Sequence, residues 1–141
     1  MGGSEGGDHT AFAAATGTPV EDRIDAGVSH SGAYDLSDSS CDPNIATFID
    51  DATNYVNVPS TDIAALRVAS PAYLADSMTA PLFLMHTDDD PMPFSQLGDM
   101  PSHPAAPGVT NYQSPTFPGP ADSFANWPAG KDYAIAFPPP V

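Results

Sequence analysis

The chain has 141 residues, enough for one small domain, and 41% of them are hydrophobic, which suffices for a core if they are suitably patterned. Eighteen acidic residues stand against Arg23, Arg67 and Lys131, a formal net charge of -15, so nucleic acid is excluded as a partner because phosphate recognition needs clustered Lys and Arg. Cys41 is the sole cysteine, which rules out an intrachain disulfide and a thiolate zinc cluster. With no basic stretch leading into an apolar run, and nothing near the roughly 18 apolar residues that cross a bilayer, the chain is expected to be soluble, with no signal peptide and no membrane partner.

Gly2-Gly3-Ser4-Glu5-Gly6-Gly7 has the G-x-S-x-G spacing of a nucleophile elbow, in which a serine occupies a tight turn into a helix and small neighbours let the backbone approach closely. No strand is expected ahead of it. Residues 9–15, rich in alanine, should continue as a helix stopped by Gly17 and Pro19. Residues 24–31 read as a strand, with Ile24, Ala26 and Val28 alternating against Asp25, Gly27 and Ser29. Residues 32–36 leave it as a loop, and 37–44, rich in Ser, Asp and Pro, form a connection. Apolar spacing predicts helices over 45–56 and 61–68, the second capped by Ser60 or Thr61. Pro71-Ala72-Tyr73-Leu74 should bend the chain. Residues 80–86 form a continuous apolar run suited to a buried parallel strand, and it ends abruptly at Asp88-Asp89-Asp90-Pro91. A carboxylate cluster at the C-terminal end of such a strand lies where open α/β sheets place their chemistry.

Ten of the 17 prolines follow residue 100, a density that opposes regular structure. A helix predicted over 94–106 contains Pro101 and Pro104, each costing about 3 kcal/mol in a helix interior. A strand over 109–117 contains Pro115, which lacks a ladder donor. A closing helix over 126–137 is weakened at its start by Pro128 and Gly130 and ends at Pro138.

Three anchors resemble the α/β-hydrolase family, in its esterase and lipase branch, which is related to the prolyl-oligopeptidase-type serine peptidases. The glycine-serine motif matches the elbow, residues 26–36 resemble the next strand and its exit, and residues 80–96 resemble the acid-bearing strand and loop. Together they cover about the C-terminal half of a hydrolase domain. The resemblance implies an α/β fold of a few mostly parallel strands with flanking helices. It makes 1–141 a single incomplete domain, better patterned over 1–100 and irregular and Pro-rich over 101–141, without the strands the family places before its nucleophile.

The same resemblance implies roles for particular residues. Ser4 would be the nucleophile and the backbone N–H of Glu5 an oxyanion donor, because acyl transfer creates an oxyanion that fixed dipoles must stabilise. Asp90, just before Pro91, would be the acid that orients the base; Asp88 and Asp89 are alternatives, since Thr87 replaces the family's glycine after His86. The base itself is expected in Gly119-Pro120-Ala121-Asp122-Ser123-Phe124, where Asp122 occupies the place of the family histidine. A carboxyl group there lacks the two differentiated nitrogens of imidazole. His9, His30, His86 and His103 are each poorly placed to replace it, and His86 is expected to fix the acid loop by hydrogen bonding.

The implied function is hydrolysis of a small-molecule carboxylic ester through an acyl-enzyme on Ser4, without metal or cofactor, and with turnover impaired or lost in this chain. A non-catalytic remnant is the alternative, and a serine peptidase of the same fold a further one. A third reading, from composition alone, is Ca²⁺ or Mg²⁺ binding by His86, Asp88, Asp89 and Asp90, oxygen-rich but without the alternation of an EF-hand.

Overall fold

The structure is a computed structural model and describes residues 1–18, 21, 24–40, 45–76, 79–102, 112–119, 125 and 127–137. Asp122, His103 and Cys41 lie outside the described residues. The elements run β1 (Gly2–Gly3), α1 (Glu5–Thr16), β2 (Gly27–His30), α2 (Ile45–Val56), α3 (Ile63–Val68), α4 (Pro71–Leu74), β3 (Leu82–Thr87), α5 (Ser95–Ser102), β4 (Tyr112–Gln113), β5 (Thr116–Phe117) and α6 (Trp127–Ala136).

The sheet has the order β1-β2-β3-β4, with β5 also on β3, and its strand pairs are parallel. β3 is its hub. Gly27 to His30 pair with Leu82 to Met85 on one edge. On the other, Tyr112 and Gln113 face Leu82 and Phe83, while Thr116 and Phe117 face His86 and Thr87. The offset is the same in both pairs, so β4 and β5 follow one strand path interrupted at Ser114-Pro115, where the proline cannot donate to the ladder.

A strand does precede the elbow, contrary to expectation. Gly2 and Gly3 pair in parallel with Ser29 and His30; two glycines carry no β signal of their own, and it is β2 that makes them a strand. Other boundaries differ as well. β2 begins at Gly27 rather than residue 24. α3 is capped by Asp62, whose side chain accepts from Ala65 N at 3.1 Å, rather than by Ser60 or Thr61. Pro71–Leu74 is a short helix with proline in its first turn, where a missing N–H costs nothing.

Alternation along β3 sorts the core into two layers. Leu82 and Leu84 face Ala11, Ala14, Tyr34, Ala72, Leu97 and Met100, so α1, α4 and α5 cover one side. Phe83 and Met85 face Phe117 and Ala134, with Trp127 and Phe137 packed against them, so α6 covers the other. This is the α/β arrangement, a parallel sheet between helices. A third cluster, Ala33, Leu36, Phe48, Ala52 and Leu66, lays α2 and α3 against the loop that leaves β2. Ser4, Ser31 and Asp88 to Asp90 all follow the C-terminal ends of their strands, so they share one end of the sheet. Among the described residues, no helix is long and apolar enough to cross a membrane.

Candidate functional site

Ser4 joins β1 to α1 with φ 52° and ψ -124°, a region that residues other than glycine rarely occupy. Backbone bonds hold it there: Ser4 N donates to His30 O at 2.9 Å, and Ser4 O accepts from Gly7 N at 2.8 Å and Asp8 N at 3.2 Å. The turn requires two of the neighbouring glycines. A Cβ on Gly2 would lie 1.8 Å from Gly6 O, and one on Gly7 would lie 2.6 Å from His30 O. The Ser4 hydroxyl does not cap the helix and the residue is exposed. The N–H of Glu5, at the first position of α1, has no acceptor within the helix and belongs to its positive end.

Beneath the turn, Ser29 Oγ donates to Gly7 O at 2.8 Å. With that proton committed, the Tyr34 hydroxyl donates to Ser29 Oγ, also at 2.8 Å. Burial holds the Tyr34 phenol protonated by pushing its pKa up. A buried tyrosine thus ties β2 to the start of α1.

The acid loop is ordered by its own bonds. Asp90 Oδ1 accepts from Met92 N at 2.9 Å, and Oδ2 accepts from Ser31 Oγ at 2.5 Å. Ser31 also has positive φ, 48°, and its N–H donates to Met85 O. Asp88 points elsewhere and accepts from Gly119 N at 2.8 Å. Asp90 is therefore the carboxylate turned into the fold at this end of the sheet. Its side chain is buried, and Ser4, Ser31, Asp90, Pro91, Met92 and Thr47 line one cavity of about 290 Å³.

His86 Nδ1 is 3.8 Å from Asp90 Oδ2, beyond hydrogen-bond length, and neither ring nitrogen has a hydrogen-bond partner among the described residues. The expected fixing of the loop by a His86 hydrogen bond is thus not what the structure has. Burial lowers the His86 pKa, with the Asp90 carboxylate pulling the other way, so the ring is neutral at neutral pH. The His30 ring packs on Trp127 with centroids 5.5 Å apart, and His9 Nε2 meets Tyr55 Oη at 2.5 Å. Among the described residues no three His, Cys, Asp or Glu side chains converge as metal ligands.

Several residues at this end escaped the sequence reading. Gln96, fully buried, accepts from Tyr34 N at 2.6 Å and Asp35 N at 2.8 Å through Oε1 and donates to Asp35 O, which fixes the loop after β2 from α5. Asp8 is 3% exposed, and its Oδ1 has no hydrogen-bond partner among the described residues. With Ser4, Glu5, Phe48, Asp51 and Tyr55 it lines a second cavity, about 440 Å³, between α1 and α2. Burial pushes the Asp8 pKa up to about 7; the nearby Tyr55 hydroxyl opposes this and the Glu5 charge adds to it. A polar residue four positions into a helix gives no sign in sequence that tertiary packing buries it.

No protein-family model, no curated protein and no solved structure matches the chain.

Proposed function

We propose that the chain is a serine hydrolase of the α/β-hydrolase type that acts on carboxylic esters, with turnover slow or absent. The observation that carries this is the backbone of Ser4: a non-glycine residue held at positive φ between a parallel strand and a helix, exposed beside two cavities. Strain of that kind, about 1–3 kcal/mol, persists where surrounding structure imposes it, and such sites are concentrated where chemistry is done. Ser4 Oγ would attack the acyl carbon and pass its proton to a base; the alcohol would leave, and water would later release the acid. The Glu5 N–H, at the start of α1, would stabilise the developing oxyanion.

The weak part is the base. Asp90 would orient a histidine, yet its Oδ2 is taken by Ser31, His86 Nδ1 stands 3.8 Å from that oxygen with no hydrogen-bond partner among the described residues, His9 bonds Tyr55 and His30 packs on Trp127. This favours a second reading, a non-catalytic remnant that keeps the turn and the cavities but not the proton transfer. A fluorophosphonate probe separates the two, since it forms an Oγ–P bond with loss of fluoride only at an activated serine. Labelling that maps to Ser4 and disappears in Ser4→Ala is expected of a hydrolase. A folded chain that stays unlabelled overturns the proposal and leaves the remnant.

A further inference from the structure

The two cavities beside Ser4 are contiguous. Ser4, Phe48, Asp51 and Met92 line both, so together they make one cleft with Ser4 where its two arms join. Helix α2 runs along it: Thr47, Phe48, Asp51, Ala52 and Tyr55 are spaced by the three- and four-residue steps that keep side chains on one helix face, with Thr47 on the smaller arm and Ala52 and Tyr55 on the larger.

The arms differ in character. The larger, about 440 Å³, is walled by Ala33, Leu36, Phe48 and Ala52 of the third core cluster, with Met92 packed against them. Carbon placed there continues the core, and each methylene so buried strengthens binding about fourfold. Glu5 and Asp51, also in its wall, oppose an anionic group. The smaller arm, about 290 Å³, is lined by Ser31, Thr47 and Asp90, none of which lines the larger. Ester cleavage joins Ser4 Oγ to the acyl carbon, breaks that carbon's bond to the alkoxy oxygen, and ends with the Ser4 proton on the departing alcohol. The alcohol therefore has to leave where the proton is handed over, on the side of the carboxylate that orients the base. That is the Asp90 arm. The acyl group, still bonded to Ser4 after the alcohol has gone, is left to the other.

We propose that the larger arm is a subsite for an uncharged aliphatic acyl chain, with Ala52 and Tyr55, which line it alone, setting the chain it accepts, and that the smaller arm passes the alcohol. The assignment rests on the hydrolase reading of Ser4 and narrows it: the substrates are esters of neutral aliphatic acids longer than acetic acid.

The p-nitrophenyl esters of acetic and hexanoic acid test this. They share one leaving group, which departs as a phenolate with no need of a proton, so acyl transfer is readable even where proton delivery is poor. Intact-mass measurement of the full chain after timed exposure gives the rate for each acyl group, and subtraction of the Ser4→Ala chain removes transfer to other nucleophiles. Hexanoyl transfer to Ser4 is expected to be at least about tenfold faster than acetyl transfer, the effect of burying part of the longer chain. Ala52→Leu should cut that ratio to about threefold or less. Should it fail to fold, Tyr55→Trp, at a partly exposed position of the same arm, serves in its place. Thr47→Leu, at an exposed position of the smaller arm, should change both rates by a common factor and keep the ratio. Equal rates for the two esters, or a ratio unmoved by the larger-arm variants or moved as far by Thr47→Leu, overturn the subsite while acylation of Ser4 leaves the hydrolase reading standing. A folded chain that takes neither acyl group on Ser4 sinks both.

Discussion

At the scale of single residues, the acids of this end of the sheet are treated very differently by the fold. Asp90 is buried but accepts from Met92 N and Ser31 Oγ, so its charge is met by donors. Asp8 is buried with one oxygen unmet. Its folded pKa is raised from 3.8 to about 7, so the native state holds a proton that the unfolded chain releases. Stability from this group is therefore greatest below about pH 4 and declines as pH rises to about 7, by an amount on the order of 4 kcal/mol at the upper limit. Asp8→Asn should accordingly raise the melting temperature at alkaline pH and leave it nearly unchanged in mild acid. An equal effect at both pH values in thermal melts would show that the carboxyl is not titrating there.

Among the elements, the turn around Ser4 depends on close backbone approach, whereas α6 does not. A Cβ on Gly2 would collide with the Gly6 carbonyl, a rigid neighbour, so Gly2→Ala should cost about 3 kcal/mol or more in chemical denaturation. Gly130 also has no room, but the atom in the way is the methyl end of Met85, which can rotate aside. Gly130→Ala should stay within about 1 kcal/mol of wild type, the packing loss being offset by helix propensity. Elements with a strong internal period were legible from sequence: α2 spans the expected residues, and the apolar run gave β3 within two residues at its start and one at its end. β1 was not, because its partner strand makes it. The same division holds at the site. Ser4 and Asp90 stand out by the glycines and proline beside them, but the bond from Ser31 to Asp90 joins residues 59 apart and that from Tyr34 to Gln96 joins residues 62 apart, which no local pattern announces. The prolines divide by position: Pro115 falls between β4 and β5, outside the ladder, whereas Pro101 lies past the first turn of α5, where it forgoes the bond to the carbonyl four residues back.

For the molecule as a whole, a formal net charge of -15 on 141 residues means that folding concentrates like charge. Added monovalent salt shortens the screening distance to about 8 Å at 0.15 M, so the melting temperature should rise with ionic strength between low salt and that value. A flat or falling trend would mean that local ion pairs outweigh the general repulsion. The placement of β3 has a consequence in time as well as in space. Its partners come from distant parts of the chain, Gly27 against Leu82 and Thr116 against His86, and parallel pairing of this kind is slow to close because loop entropy must be spent before any contact compensates it. The Ser4 turn hangs on His30 O, and β2 in turn is held by β3. The geometry of the Ser4 turn is therefore expected to be among the last features to assemble during folding: α1 can form early, but the residue that precedes it has no reason to adopt its strained backbone until the centre of the sheet is complete.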